Sequence, residues 1–378
     1  MSHQLDEDSE AFINVLRGFA ALAVLITHSL DFGIRGVYGH SLQEAPAFWR
    51  WMGASVGHGS FMVWCFFVVS GLCIHLSIMR STKLGAFNWR SYAVARITRI
   101  YPLFLLGLVL AILVWWFTDD LSGTHATRPW PQFFASLLSL HIFTSNFPNF
   151  MTSWSLSNEM IYYAAWPLLL CLVGWQASKA VVLGGMASLL VCLLIGVLWA
   201  VLRRFETSTA INGLWSVCVL FPLWLGGAWL AENWQRVSQH VTRRLWYMSF
   251  PLCLAAELSL AWAKFNERSQ AVIDSTALLA LPGLVLLLAG SRHARLSSPV
   301  WLQPWIRWCG QFSYPCYILQ MPLLVLQLRL VIPYLPEPVV AHPFSRAAVL
   351  LLPTLLLLAC IGPRLERGIM GWRSKLLA

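Results

Sequence analysis

INVLRGFAALAVLITHSL, residues 13–30, decides the fold. A bilayer core is crossed by about 20 mostly apolar residues in a helix, and this run has that length with only Arg17 and His28 ionisable. Runs of the same kind recur along the chain. They predict ten spans near 11–31, 60–79, 98–118, 157–174, 179–201, 212–232, 245–263, 275–291, 312–332 and 346–363, with a shorter apolar piece, 132–144, that dips in or lies at the interface. Only 11% of the 378 residues are charged and the mean hydropathy is +0.65, against roughly 25% charged in soluble domains, so a soluble fold is excluded. Lipid forces backbone groups to bond internally, and the runs do not alternate as barrel strands do. The expectation is an all-α polytopic bundle, a single membrane-embedded domain over 1–378. Two long segments, 32–59 and 119–156, fall on one side, where long loops in compact proteins are often functional.

Basic residues set the orientation. With the N-terminus cytoplasmic, the loops on that side carry sixteen, Arg80, Lys83, Arg90, Arg96, Arg99, Lys179, Arg236, Arg243, Arg244, Arg292, Arg295, Arg307, Arg364, Arg367, Arg373 and Lys375. The other side carries eight, Arg35, Arg50, Arg128, Arg203, Arg204, Lys264, Arg268 and Arg346. The positive-inside rule therefore predicts both termini in the cytoplasm. This bias accounts for most of the +10 charge, and no nucleic-acid partner is expected. The opening MSHQLDEDSE is acidic, unlike a signal peptide. The nine cysteines form no CxxC pair and sit mostly inside apolar runs, so they read as small core residues; no metal site is expected.

Ionisable residues within spans are functional candidates. Arg17 and His28 are eleven residues apart, about 16 Å and three turns, and share roughly one face. Arg17 reads either as a snorkelling anchor or as part of a site; His28 reads as an interfacial histidine or as a base that takes a proton from an alcohol. In FFVVSGLCIHL (66–76), Ser70 and Gly71 interrupt an apolar helix, which suits helix packing or substrate approach better than a nucleophile. In NWRSYAVARITRIYP (88–102), Arg96 and Arg99 share a helix face with Arg90 nearby; they are topology anchors or a phosphate-binding fork. SWSLSNEMIYY (153–163) brings Glu159 to a helix start, four residues before Tyr163, where it would orient His28 or a sugar hydroxyl. GQFSYPCYILQMPL (310–323) lines Tyr314, Tyr317 and Gln320 along one face, as an aromatic belt also would.

Together these stretches resemble the acyltransferase 3 family of bacterial membrane proteins. Arg17 and His28 in their spacing, FFVVSG at 66–71, RITRIYP at 96–102, SWSLSNE at 153–159 and GQFSYPCYILQMP at 310–322 occur in the family's order over nearly the whole chain. The resemblance implies O-acyl transfer, most often acetyl from acetyl-CoA, onto a hydroxyl of a cell-surface or lipid-linked carbohydrate, in the bacterial inner membrane. It implies His28, Glu159 and Arg17 as the catalytic set and Arg96, Arg99, Arg90 and Ser70 as donor-binding residues, with acyl-CoA as co-substrate and no metal. Many members have histidine where this chain has Gln320, so that position cannot act as acid or base here. A transporter or flippase for a glycan or lipid intermediate, and a structural subunit of an export complex, are the rival readings.

Overall fold

The computed structural model describes residues 5–39, 42, 44–56, 59–83, 87–118, 129–202, 208–297 and 299–377, and among these it contains helices joined by turns and short irregular segments, with no strand. The helices are α1 (Glu7–Tyr38), α2 (Ala47–Val56), α3 (Ser60–Lys83), α4 (Trp89–Thr118), α5 (Trp130–Leu137), α6 (Trp154–Leu172), α7 (Ala177–Leu202) and α8 (Thr209–Glu232). They continue with α9 (Trp234–His240), α10 (Arg243–Phe265), α11 (Gln270–Ser275), α12 (Ala277–Ala289), α13 (Gln303–Leu330), α14 (Glu337–Val340) and α15 (Pro343–Leu377). Nine spans among the described residues are long and apolar enough to cross a membrane: α1, α3, α4, α7, α8, α10, α11 with α12, α13 and α15. The tenth predicted span is α6, a helix of 19 residues whose opening WSLSNE is too polar to read as membrane on hydropathy alone.

Several helices outrun their apolar runs. The first begins at Glu7 because Asp6 caps it, accepting from the Ser9 N–H at 2.9 Å, and Glu7, Asp8 and Glu10 oppose the helix dipole there. Segment 32–59 is correspondingly less of a loop than the sequence suggests: α1 runs on to Tyr38 and α2 follows. Helix α4 starts at Trp89 and continues through Pro102, so its arginines lie inside the helix rather than ahead of it. Arg128, Arg203 and Arg204 lie outside the described residues.

The centre of the bundle is α3 against α8. In each, 67% of the most apolar window is buried, against 17% in α7, which faces outward. Glycines make this contact possible. A Cβ on Gly71 would run into the Trp224 carbonyl oxygen, and one on Gly227 into that of Val68, so the two backbones touch as small-residue interfaces in membranes do. Both chain ends lie at one end of the bundle. The Ser297 N–H donates to Asp8 at 2.6 Å, Ser291 donates to Ser9 at 2.8 Å, and Arg99 of α4 pairs with Glu366 of α15.

The short piece near 132–144 does not cross. It is α5 followed by a single 3-10 turn, His141–Phe143, folded into the end of the bundle away from the termini. His141 is buried, its Nε2 2.8 Å from the Ser153 carbonyl oxygen, and Ser157 Oγ donates to the Ser139 carbonyl at 2.5 Å. These two bonds pin the segment to the start of α6, so that Ile142, Asn146, Met151 and Thr152 line an internal chamber.

Candidate active site

Two cavities with polar and charged side chains among their lining residues lie within the bundle. One, of about 190 Å³, is lined by Arg17 of α1, Ser70 and Cys73 of α3, Arg96 and Arg99 of α4, Ser155, Glu159 and Tyr163 of α6 and Tyr314 and Tyr317 of α13. The other, of about 380 Å³, is lined by His28 of α1, Ser60 of α3, Trp154 of α6, Asn212 and Ser216 of α8, Lys264 of α10, Asp274 of α11 and Tyr317. The first lies toward the end that holds the termini and the second toward the opposite end, as the order along α1 (Arg17, then His28) and α3 (Ser60, then Cys73) requires.

Arg96 donates from Nη2 to Ser77 Oγ at 3.0 Å and lies over the Tyr92 ring at 5.5 Å. Arg99 pairs with Glu366 and lies over the Tyr314 ring at 5.6 Å. The two guanidinium groups therefore face one cavity, each steadied by an aromatic face, and Arg17 joins them from α1. Arg90 does not join them: it is exposed in the first turn of α4, with five residues of helix between it and Arg96, and lines neither cavity. Ser70 takes part in a side-chain chain. Tyr163 donates to Glu159 Oε2 at 2.8 Å, the Ser70 and Tyr163 hydroxyls are 2.9 Å apart, and Trp224 Nε1 donates to Ser70 Oγ at 3.3 Å. Gly71 beside it serves helix packing, so adjacent residues of one motif take two roles.

Glu159 is placed differently from the sequence reading. Its carboxylate opens into the arginine cavity and does not line the chamber of His28. The reason is where α6 begins: the helix starts at Trp154, so Trp154 takes the chamber and Glu159, more than a turn further in, falls past the wall. Arg17 and His28 likewise line different cavities. Thr27 and Ser29 donate back to the Val24 and Leu25 carbonyls, both at 2.8 Å, which turns them away from the histidine. Among the cysteines, Cys73 is exposed to the arginine cavity rather than packed in the core; Cys171 and Cys360 are exposed too.

Three contributors escaped the sequence reading. Glu366 follows the last apolar run among basic residues, so its pairing with Arg99 on another helix left no local signal. Asp274 and Asn212 sit at span ends and look like caps until the fold turns them into the chamber.

Tyr317 is the one described side chain common to both cavities. It is 5% exposed, its ring lies 5.5 Å from that of Phe66, and its hydroxyl is 2.7 Å from Ser155 Oγ. Cavities toward opposite ends of a membrane bundle that share the Tyr317 side chain in their lining suit a protein that brings two reactants together inside the bilayer, the class of membrane-embedded group-transfer proteins. The sequence model of the acyltransferase 3 family, described as an acyltransferase domain, matches residues 10–362, and the chain belongs to that family. It is a multi-pass membrane acyltransferase. No curated protein and no solved structure matches it.

Proposed function

We propose that the protein moves an acyl group, most simply acetyl, from acyl-CoA onto a hydroxyl of a cell-surface or exported carbohydrate, in a bacterial plasma membrane with both termini cytoplasmic. The observation that carries this reading is the shared Tyr317 wall between a cavity rich in guanidinium groups and a chamber that contains a histidine. Acyl-CoA is a cytoplasmic polyanion. Arg96, Arg99 and Arg17 offer its phosphates planar forks at the end that the positive-inside rule assigns to the cytoplasm. The chamber suits a polyhydroxyl acceptor: Ser60, Asn146, Thr209 and Asn212 are neutral hydrogen-bonding groups, and Trp154 and Tyr317 present aromatic faces.

In this scheme the donor's pantetheine arm extends toward the wall and presents the thioester there. His28 accepts the proton of the acceptor hydroxyl as its oxygen attacks the thioester carbonyl. The carbon–sulfur bond breaks, the ester forms, and the histidine's proton leaves with the CoA thiol. The negative charge that develops on the carbonyl oxygen needs a donor, and the Tyr317 hydroxyl supplies it from the wall. No acyl-enzyme is required in this scheme, since the acceptor oxygen attacks the thioester directly.

The test is direct. The full-length protein in nanodiscs is incubated with radiolabelled acetyl-CoA and a panel of glycosides. Acetylated glycoside from the wild type but not from His28→Ala is the expected result. Transport of the glycoside without ester formation would overturn the proposal in favour of a transporter.

A further inference from the structure

The arginine cavity changes character along its length. Its charged side chains are Arg17, Arg96, Arg99 and Glu159. The order of residues along the helices sets a different group beside the chamber of His28. Helix α3 passes from the chamber residues Ser60 and Val63 to Phe66 and Val69 before it reaches Ser70 and Cys73. Helix α6 passes from Trp154 to Ser155 and Leu156 before Glu159, and on α13 Tyr317 follows Ser313 and Tyr314. Helix α1 runs alongside α13 with Cys316 Sγ 3.7 Å from the Ala21 carbonyl oxygen, so Arg17 lies a turn nearer the termini than Tyr317. The chamber end of this cavity is therefore made by Phe66, Val69, Ser155, Leu156 and Tyr317, and no charged side chain among the described residues belongs to it.

This end is closely packed. Val69 and Leu156 are buried, and the Phe66 ring lies 5.5 Å from the Tyr317 ring. The bond between the Tyr317 and Ser155 hydroxyls, at 2.7 Å, fixes the ring that Phe66 meets. Phe66 itself is half-buried and lines the cavity. Extra methylenes forced into such packing push rings off their rotamers and are costly. A carboxylate brought here would be desolvated with no cation beside it, which is costlier still.

We propose that Phe66 sets the length of the acyl group, with Val69 and Leu156 as the apolar sides of its pocket, so that the donor carries a short, uncharged acyl chain. An acetyl group ends in one methyl. Each further carbon has to displace the Phe66 ring or the Tyr317 ring against it. A succinyl group adds a carboxylate that the guanidinium groups, further toward the termini, do not meet. This rests on the reading that the thioester is presented at the Tyr317 wall.

The test is donor binding without acceptor, which keeps it apart from catalysis. Isothermal titration of the full-length protein in nanodiscs compares acetyl-CoA, butyryl-CoA and succinyl-CoA. Wild type should bind acetyl-CoA about tenfold or more tightly than either of the others, the scale on which an apolar pocket reads a methylene. Phe66→Ala should remove most of the penalty on butyryl-CoA and leave that on succinyl-CoA, since it opens space and adds no charge. A merely structural role for Phe66 would weaken all three donors alike. Wild-type affinity for butyryl-CoA or succinyl-CoA equal to that for acetyl-CoA, a comparison that needs no variant to fold, overturns the proposal. So does an acetyl-to-butyryl ratio that stays at its wild-type value in Phe66→Ala. Discrimination by length with no ester formed on any glycoside would instead count against the transfer reading.

Discussion

The hydroxyls of Tyr317 and Ser155 meet at 2.7 Å at the place where the arginine cavity and the histidine chamber share a side chain. Tyr317→Phe keeps the ring against Phe66 and removes only the hydroxyl. If that hydroxyl stabilises the carbonyl oxygen during transfer, kcat should fall about 10²-fold or more while the donor KM hardly moves. Steady-state kinetics decide it: a variant with normal kcat and a raised donor KM would make Tyr317 a binding residue.

His28 lines the chamber, with Arg17 and Glu159 on the other side of the wall. His28→Ala should lower transfer by about 10²–10⁴ with membrane insertion and Tm retained. Near-normal turnover would remove it from the mechanism.

Arg99 is held by Glu366, a carboxylate only 4% exposed on the last helix, beyond the part of the chain that the family match covers. Breaking one side of such a pair costs about 3–5 kcal/mol, so Glu366→Gln should melt earlier than wild type. Donor phosphates would compensate the orphaned guanidinium. Acetyl-CoA should therefore raise the Tm of Glu366→Gln by more than it raises that of the wild type. Equal shifts would mean that Arg99 does not meet the donor.

Arg96 and Arg99 changed together to lysine test fork against point charge. Lysine keeps the positive-inside signal but cannot bond bidentately, so acetyl-CoA binding should weaken with topology intact. Unchanged affinity in a titration would return the pair to the role of anchors.

Glu159 puts a carboxylate among three guanidinium groups. Glu159→Gln should make that cavity more positive and bind acyl-CoA more tightly at low salt, an effect that fades as salt screens it. A weakened acceptor KM with donor affinity unmoved would place Glu159 with His28 after all.

How much of this was legible in the sequence depends on the reach of each signal. Bilayer-length apolar runs gave the bundle, because in lipid a run and a helix are nearly the same statement. They found α6 and α1 but misplaced their ends: the polar WSLSNE opening put the start of α6 three residues late, and the acidic first turn of α1 is helical without being apolar. The residues that line the site were largely visible, as polar groups where lipid tolerates few. Their partition was not. Arg17 and His28 share a face, yet a wall built from α6 and α13 separates them, and no spacing within α1 encodes a side chain of another helix. Glu366 and Lys264 meet partners on α4 and α3, contacts hundreds of residues away in the chain.

The wall at Tyr317 also has an electrical consequence. If water fills both cavities, it carries the potential of each bulk phase inward, and most of the membrane voltage then drops across the wall that contains the Tyr317 ring. Moving a unit charge through the full potential is worth about 2.3 kcal/mol per 100 mV. In an intact cell, any charge displaced across that wall as the acyl group passes would feel a field far steeper than the bilayer's average, so the rate of transfer would answer to membrane potential although no ion is carried across.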